Sequence, residues 1–221
     1  MNDSEFDWKA WRQEERRRLI GARKALTEDD RRARNGAIDA LLGAGFAAFS
    51  GSVVGFCWPI AAEPEPRFAV RRWREQGSRA ALPAVVKPRT PLEFREWWPG
   101  APTQKGVYDI PYPVGTEVLE PEAALVPVNG FDGGAYRLGY GGGFFDRTLA
   151  ALPRKPICIG LGYEIARLQT IHSQPHDVPF DFIVTEAGIH VSVDGGLERI
   201  EPTEADARVR DLQRQRGFAG R

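Results

Sequence analysis

The residues best suited to chemistry are crowded into one run, Arg137-Leu138-Gly139-Tyr140-Gly141-Gly142-Gly143-Phe144-Phe145-Asp146-Arg147. Glycines at 139, 141, 142 and 143 carry no Cβ, so the chain can adopt positive φ there and a bulky anion can approach the amides closely. From Phe144 to Leu152 the spacing of Phe145, Leu149 and Leu152 predicts a helix. Its free amides and positive dipole end would face back into the glycine run, an arrangement that binds phosphate. Arg137 and Arg147 can add charge-assisted bonds to phosphate oxygens. Asp146 differs in kind: a carboxylate beside a polyphosphate is repelled unless a cation stands between them, which predicts a magnesium ligand. The run matches neither the dinucleotide fingerprint, whose last glycine is replaced by Phe144, nor a P-loop, since no Gly-Lys-Ser or Gly-Lys-Thr is present. A tight strand-to-helix turn without a ligand would use the same residues.

Other candidates lie elsewhere in the chain. Asp177, in His172-Ser-Gln-Pro175-His176-Asp177, is a natural second carboxylate for a magnesium ion shared with Asp146, because hard cations at phosphates take one or two carboxylates plus water. His172 and His176 have the spacing of a helical zinc pair, but Pro175 disfavours helix at the residue before it. Glu63 and Glu65 sit in a proline-stiffened loop after Pro59, where ligand groups collect in open α/β folds, or they are simply solvated loop acids. Tyr108, in Tyr108-Asp-Ile-Pro111-Tyr-Pro113, offers a flat surface for stacking or an anchor for its own loop.

These residues need a scaffold, and composition limits which one. The chain has 221 residues, 42% of them apolar, enough to bury a substantial core in one domain. Thirty basic residues balance thirty acidic ones, so no global field favours nucleic acid or an anionic membrane. No apolar run approaches the roughly 20 residues of a membrane span, and the polar, acidic start is unlike a secretory signal. A cytoplasmic, monomeric protein with small-molecule ligands is the expectation. Cys57 and Cys158 lie in separate apolar runs and are expected to be buried free thiols.

Along the chain, 7–24 predicts a basic amphipathic helix with Trp8, Trp11, Leu19 and Ala22 on its inner side, one or two of its arginines reaching the phosphates. Thr27 caps a second helix, with Ala33, Ala37, Ile38, Leu41, Leu42, Phe46 and Phe49 in its expected buried stripe. The run 51–58 predicts a strand covered on both faces. Residues 68–76 predict a helix, and 79–86 a strand in which Pro83 demands an edge position or a bulge. The run 123–132 predicts a strand leading into a turn, and strands at 155–162, 180–185 and 189–193 follow, with the glycine run and its helix between the first two of these four. Residues 1–200 are expected to form one domain, and 201–221, charged and poor in large apolar residues, a mobile tail.

The glycine run, preceded by Val126-Pro127 and Phe131-Asp132 and followed by His176-Asp177 and Asp181-Phe-Ile-Val-Thr-Glu186, resembles the 5-formyltetrahydrofolate cyclo-ligase (5,10-methenyltetrahydrofolate synthetase) family. The likeness extends from the basic first helix, through Trp58-Pro59, Glu63, Pro111 and Pro113, to about Ile189. It implies a mainly parallel α/β sheet flanked by helices, like the NagB/RpiA/CoA transferase fold. It also implies ATP-dependent closure of 5-formyltetrahydrofolate to 5,10-methenyltetrahydrofolate. In that reading Arg12, Arg16 and residues 137–147 hold ATP, with Leu138, Tyr140, Phe144 and Phe145 inside the stretch. Asp146 and Asp177 hold Mg²⁺, Glu63 and Arg137 are catalytic, and Trp58, Glu63 and Tyr108 contact the folate. The sequence departs from the family in having arginine at position 12, where a lysine is usual. Arginine's planar fork does not reproduce a compact ammonium. A non-catalytic nucleotide or folate binder, or a CoA-transferase or sugar-phosphate isomerase type of enzyme on a related scaffold, are the rival readings.

Overall fold

The structure is a computed structural model that describes residues 6–194 and 196–218; the Tyr108 side chain, expected to form a stacking wall, lies outside the described residues. Among the described residues, five α-helices and thirteen strands follow one another. Helices α1 (Trp8–Ala25) and α2 (Glu28–Gly45) lead into β1 (Val53–Phe56), α3 (Arg67–Glu75), β2 (Arg79–Ala84) and β3 (Glu93–Trp97). A hairpin of β4 (Thr103–Lys105) and β5 (Pro111–Pro113) precedes β6 (Val118–Leu119) and β7 (Ala123–Pro127). Then come β8 (Gly130–Phe131), β9 (Arg137–Leu138), α4 (Phe144–Ala151) and β10 (Ile157–Leu161). The chain closes with β11 (Phe182–Thr185), β12 (Gly188–Val193), β13 (Gly196–Ile200) and α5 (Pro202–Gln215).

Nine strands form one sheet in the order β13-β12-β11-β10-β7-β1-β2-β3-β6. Strands β11, β10, β7, β1 and β2 are mutually parallel, and antiparallel strands extend both ends. The central strands read as unbroken apolar runs because both faces are covered. Ala123 and Leu125 join Ile38 and Leu42 of α2, Trp73 of α3 and Val209 of α5 in the larger core. Their neighbours Ala124 and Val126 point the other way and pack with Leu149 of α4 and Ile183. After β1 the chain runs outward through β2, β3 and β6, then returns to the opposite side of β1 as β7. The order therefore reverses between β1 and β7, which is where a crevice opens at the carboxyl ends of parallel strands.

Three expectations need correction. Residues 202–215 form a helix rather than a mobile tail: α5 packs on α2, with Ala205 and Val209 fully buried. Its charges are spent on i,i+4 pairs such as Arg208–Glu204, and only two small apolar residues per stripe are needed to seat it, too few to stand out in sequence. Pro83 lies inside the sheet, between β1 and β3. Pairing with β1 ends at Ala81, so the missing N–H falls where no partner remains on that side. On α1 the inner face carries Arg12, Leu19 and Arg23, whereas Ala22 is exposed. Thr27 does cap α2, accepting the Asp30 amide at 3.1 Å.

If α5 is part of the core, Val209→Ala should cost about 2 kcal/mol of stability. Urea denaturation measures this, and a mobile tail would give no change.

Candidate active site

A cavity of about 960 Å³ lies at the ends of β1, β2 and β7. Its wall includes residues 137–147 together with Arg12, Arg16, Trp58, Glu63 and Asp177, so positions far apart in the chain meet there. One side is apolar, with Leu82, Val85, Leu92 and, from the turn joining β4 to β5, Val107 and Ile110. The other side is the glycine run.

That run is an open loop. Gly141 (φ 92°) and Gly143 (φ 62°) occupy the left-handed region, and Gly143 precedes α4 without any side-chain cap. Among the described residues, none of the amides of residues 140–146 donates to a protein acceptor. Loop carbonyls, in contrast, are engaged: Arg16 Nε donates to Gly139 O at 2.7 Å, and Arg147 donates to Gly142 O. The arginines thus cover the negative ends of the peptide dipoles and leave a row of N–H groups and two guanidiniums around one hollow. A Cβ on Gly141 would come within 3.4 Å of the Arg16 guanidinium, and one on Gly143 within 2.9 Å of Arg147. What calls for glycine at both positions is the left-handed backbone, since the nearby arginine tips could yield to a Cβ. Free amides gathered at a helix N-terminus have the geometry that anion-binding nests use.

Arg137 does something else. It is buried beneath the loop, donating to Val178 O at 3.0 Å, pairing with Asp146 at 2.9 Å and lying over the Phe180 ring. Arg12 is likewise committed: its guanidinium donates to Ile171 O and His172 O and pairs with Asp177 at 2.5 Å. Arg16 and Arg147 are the loop-side cations that still face the cavity with N–H groups to spare.

The two expected metal ligands are neighbours, since Asp146 Oδ1 accepts from the amide of Val178, next to Asp177. Their availability differs. Asp146 Oδ2 has no hydrogen-bond partner among the described residues, whereas both oxygens of Asp177 are occupied by Arg12, with Gln174 N also on Oδ2. No group of three or more His, Cys, Asp or Glu converges among the described residues. A divalent ion here would draw most of its ligands from phosphate and water, which suits magnesium and not zinc. The residues fit that ion through Asp146, while Asp177 would have to release part of Arg12. His176 is exposed and His172 packs against Trp11 and Phe6.

Glu63 is buried at the cavity floor. Its turn is strained, with Ala61 (φ 48°) and Ala62 (φ 61°) both left-handed. One carboxylate oxygen accepts the Ile60 amide at 2.9 Å and the other the Tyr140 hydroxyl at 2.6 Å, while Arg23 stands 3.9 Å away. Desolvation raises the Glu63 pKa; the Tyr140 hydroxyl, the Ile60 amide and the Arg23 charge oppose this only in part. Desolvation, with the Glu63 charge, drives the Tyr140 phenol upward, so it is a donor at neutral pH. Cys57 is a half-buried free thiol in the wall, and burial keeps it protonated, which removes it as a nucleophile; Cys158 is buried and pushed up to about 12 by desolvation. Trp58 stands in the wall with Arg67 stacked over it at 4.6 Å, which makes it a braced flat surface.

Arg23, Asn129 and Asp132 escaped the reading of the sequence. Asp132 orders the approach to the loop, accepting the amides of Gly134, Tyr136 and Ile171. For Arg23 a signal did exist: with Arg12, Arg16 and Leu19 it falls at steps of 4, 3 and 4 residues, one face of a helix.

The model of the 5-formyltetrahydrofolate cyclo-ligase family matches residues 8–186. A 5-formyltetrahydrofolate cyclo-ligase of Mycolicibacterium smegmatis is 31% identical over 146 residues, 62% of this chain and 74% of that protein. One of Mycoplasma pneumoniae is 35% identical over 74 residues, 32% of this chain, and the match spans only 44% of that protein's length. The solved 5,10-methenyltetrahydrofolate synthetase of Aquifex aeolicus superposes with a TM-score of 0.72 at 25% identity, covering 86% of this chain and 96% of that one. The Mycoplasma pneumoniae synthetase gives 0.66 at 24% identity, covering 82% and 99%, a likeness of fold.

Asp177→Asn leaves Arg12 buried without its counter-charge and should destabilise the protein by about 2–4 kcal/mol at pH 7, measured by urea denaturation. Burial alone would raise the Asp177 pKa, but Arg12 and the Gln174 amide outweigh it and hold it below the usual value. The carboxylate therefore contributes stability above its unfolded pKa and loses it as pH falls through the lower folded one. The gap between wild type and variant should begin to narrow near pH 4, about the unfolded value, and close only below the lower folded pKa.

Proposed function

The chain belongs to the 5-formyltetrahydrofolate cyclo-ligase family, and from that premise we propose that it uses ATP to close 5-formyltetrahydrofolate to 5,10-methenyltetrahydrofolate, releasing ADP and phosphate. The observation that carries this reading is the row of amides at residues 140–146 that have no partner among the described residues, flanked by Arg16 and Arg147, beside a largely apolar cavity into which the buried Glu63 carboxylate faces. A triphosphate suits the first half and a flat, partly apolar heterocycle the second.

The formyl oxygen of an N-formyl group is a poor leaving group. In the proposed reaction it attacks the γ-phosphorus, the bond to the bridging oxygen breaks, and ADP leaves. N10 of the folate then adds to the activated carbon, gives up its proton, and the former formyl oxygen departs with phosphate. Phosphoryl transfer of this kind depends mainly on alignment and charge neutralisation. The loop amides, Arg16 and Arg147 would cradle the phosphate oxygens. Arg137 would hold Asp146 in position from beneath rather than touch ATP, and Arg12 would fix the 171–177 loop through Asp177. Magnesium, bound through Asp146 with Asp177 beside it, would neutralise phosphate charge. Glu63 would accept hydrogen bonds from the pterin end, against Trp58. Cys158 and Cys57, unpaired, suit a reducing cytoplasm.

The test is direct. Protein, 5-formyltetrahydrofolate, Mg²⁺ and ATP together should generate methenyl absorbance, and omission of ATP should abolish it; no product with all components present overturns the reading. Glu63→Gln should lower kcat/KM for the folate by roughly tenfold or more while leaving nucleotide affinity near wild type. Because Glu63 must be ionised to accept such bonds and its pKa is raised, activity should fall on the acid side at a pH above the ordinary glutamate value of about 4.3. Asp146→Asn should weaken Mg-nucleotide binding, read by titration with a non-hydrolysable ATP analogue with and without Mg²⁺; an unchanged metal dependence would remove Asp146 from the site.

A further inference from the structure

Arg23 lies on α1 yet is buried to 4% exposure, unusual for a guanidinium without a ligand or a function nearby. All of its nitrogens are committed. Nε donates to Ala61 O at 2.9 Å, Nη1 to Asn129 Oδ1 at 3.0 Å, and Nη2 to the Tyr140 hydroxyl at 3.1 Å. Because Tyr140 Oη accepts from Arg23, its own proton is directed elsewhere, and it donates to Glu63 Oε1 at 2.6 Å. Ala61 is one of the two strained residues in the turn that carries Glu63. Arg23 therefore grips the Glu63 turn, the base of the glycine loop and the segment after β7 at once.

We infer that Arg23 is a positioning residue: pinned by Ala61 O and Asn129 Oδ1, it holds the Tyr140 hydroxyl and the Glu63 carboxylate in the single arrangement that faces the folate side of the cavity. The inference rests on the reading that Glu63 meets the formylated folate. Its geometric basis is that one planar fork satisfies three acceptors from three loops, which a lysine ammonium with a single nitrogen cannot reproduce. The groups facing Glu63 are Arg23 from α1, Tyr140 from the glycine loop, the Ile60 amide from its own turn and the Cys57 thiol after β1. Of these, Arg23 alone is a cation. Its removal leaves the carboxylate in the same dry setting without positive charge, and leaves the tyrosine hydroxyl free to rotate.

The experiment compares wild type with Arg23→Met and Arg23→Lys. The Glu63 carboxylate is followed by ¹³C NMR in ligand-free protein labelled at glutamate, with Glu63→Gln for assignment. Arg23→Met should move its titration upward by about half a pH unit or more, and Arg23→Lys by less, because the charge remains. In turnover, Arg23→Met should reduce kcat/KM for 5-formyltetrahydrofolate roughly tenfold or more and carry the acid limb upward, with the KM for ATP within about twofold of wild type. Folded Arg23→Met with the wild-type Glu63 titration, or with equal losses toward both substrates, overturns the inference. Should Arg23→Met fail to fold, Arg23→Lys and Tyr140→Phe carry the test, the latter expected to raise the Glu63 titration as well and to overturn the inference if it does not. The titration uses no substrate, so a wild-type protein that makes no methenyl product would defeat the proposed activity while the Glu63 shift still stood or fell by itself.

Discussion

Three guanidinium groups on one face of a single helix hold the cavity together. Arg12, Arg16 and Arg23 descend α1 at near-heptad spacing, and each takes a different loop: 171–177, the glycine run, and the Glu63 turn with Asn129. A guanidinium removed from water needs most of its five donors satisfied, and fixed carbonyls and carboxylates at strand ends supply them. α1 has few apolar anchors of its own, chiefly Leu19 against Leu138 and Ile171. Its seat is therefore electrostatic and directional, and it sets the spacing between the loops as well as closing one wall.

The sheet provides what the helix acts upon. With five parallel strands ending at one edge and the order reversing between β1 and β7, loops from both halves of the chain meet over the same crevice. Glu63 follows β1, the glycine run follows β9, and Asp177 precedes β11. Covering both sheet faces with helices keeps these strand ends rigid, so the loops can be open without being loose. The free amides of the glycine run persist because its carbonyls, not its N–H groups, are taken up by Arg16 and Arg147.

Much of this was legible beforehand. The loop and helix at 137–152 were readable because positive φ and close approach leave few residues but glycine, and the following helix has an apolar stripe. Strands at 53–56, 123–127 and 157–161 were readable because two-sided burial makes unbroken apolar runs. Misreadings arose where one residue type serves two ends. The arginines of α1 were expected opposite its apolar inner side, one or two of them reaching phosphate, since burial of a guanidinium depends on acceptors over a hundred positions away. α5 looked like a loose tail because its inner face is small and its charges pair along the helix.

By itself, the sequence marked 139–143 as a glycine loop whose backbone a bulky anion could approach, the sheet as buried on both faces, and the chain as sharing the pattern of a folate-processing ligase family. The first two follow from backbone permissiveness and local periodicity, which each residue carries wherever it lies; the third is a likeness to a known family's motif. Only the tertiary structure decided which charges are available. Arg137 and Arg12 look as free as Arg16 in one dimension, but the fold spends the first two on Asp146 and Asp177 and leaves the third facing the cavity. A charge's role depends on what neutralises it, and neutralising partners are brought together by the fold, not by the order of residues.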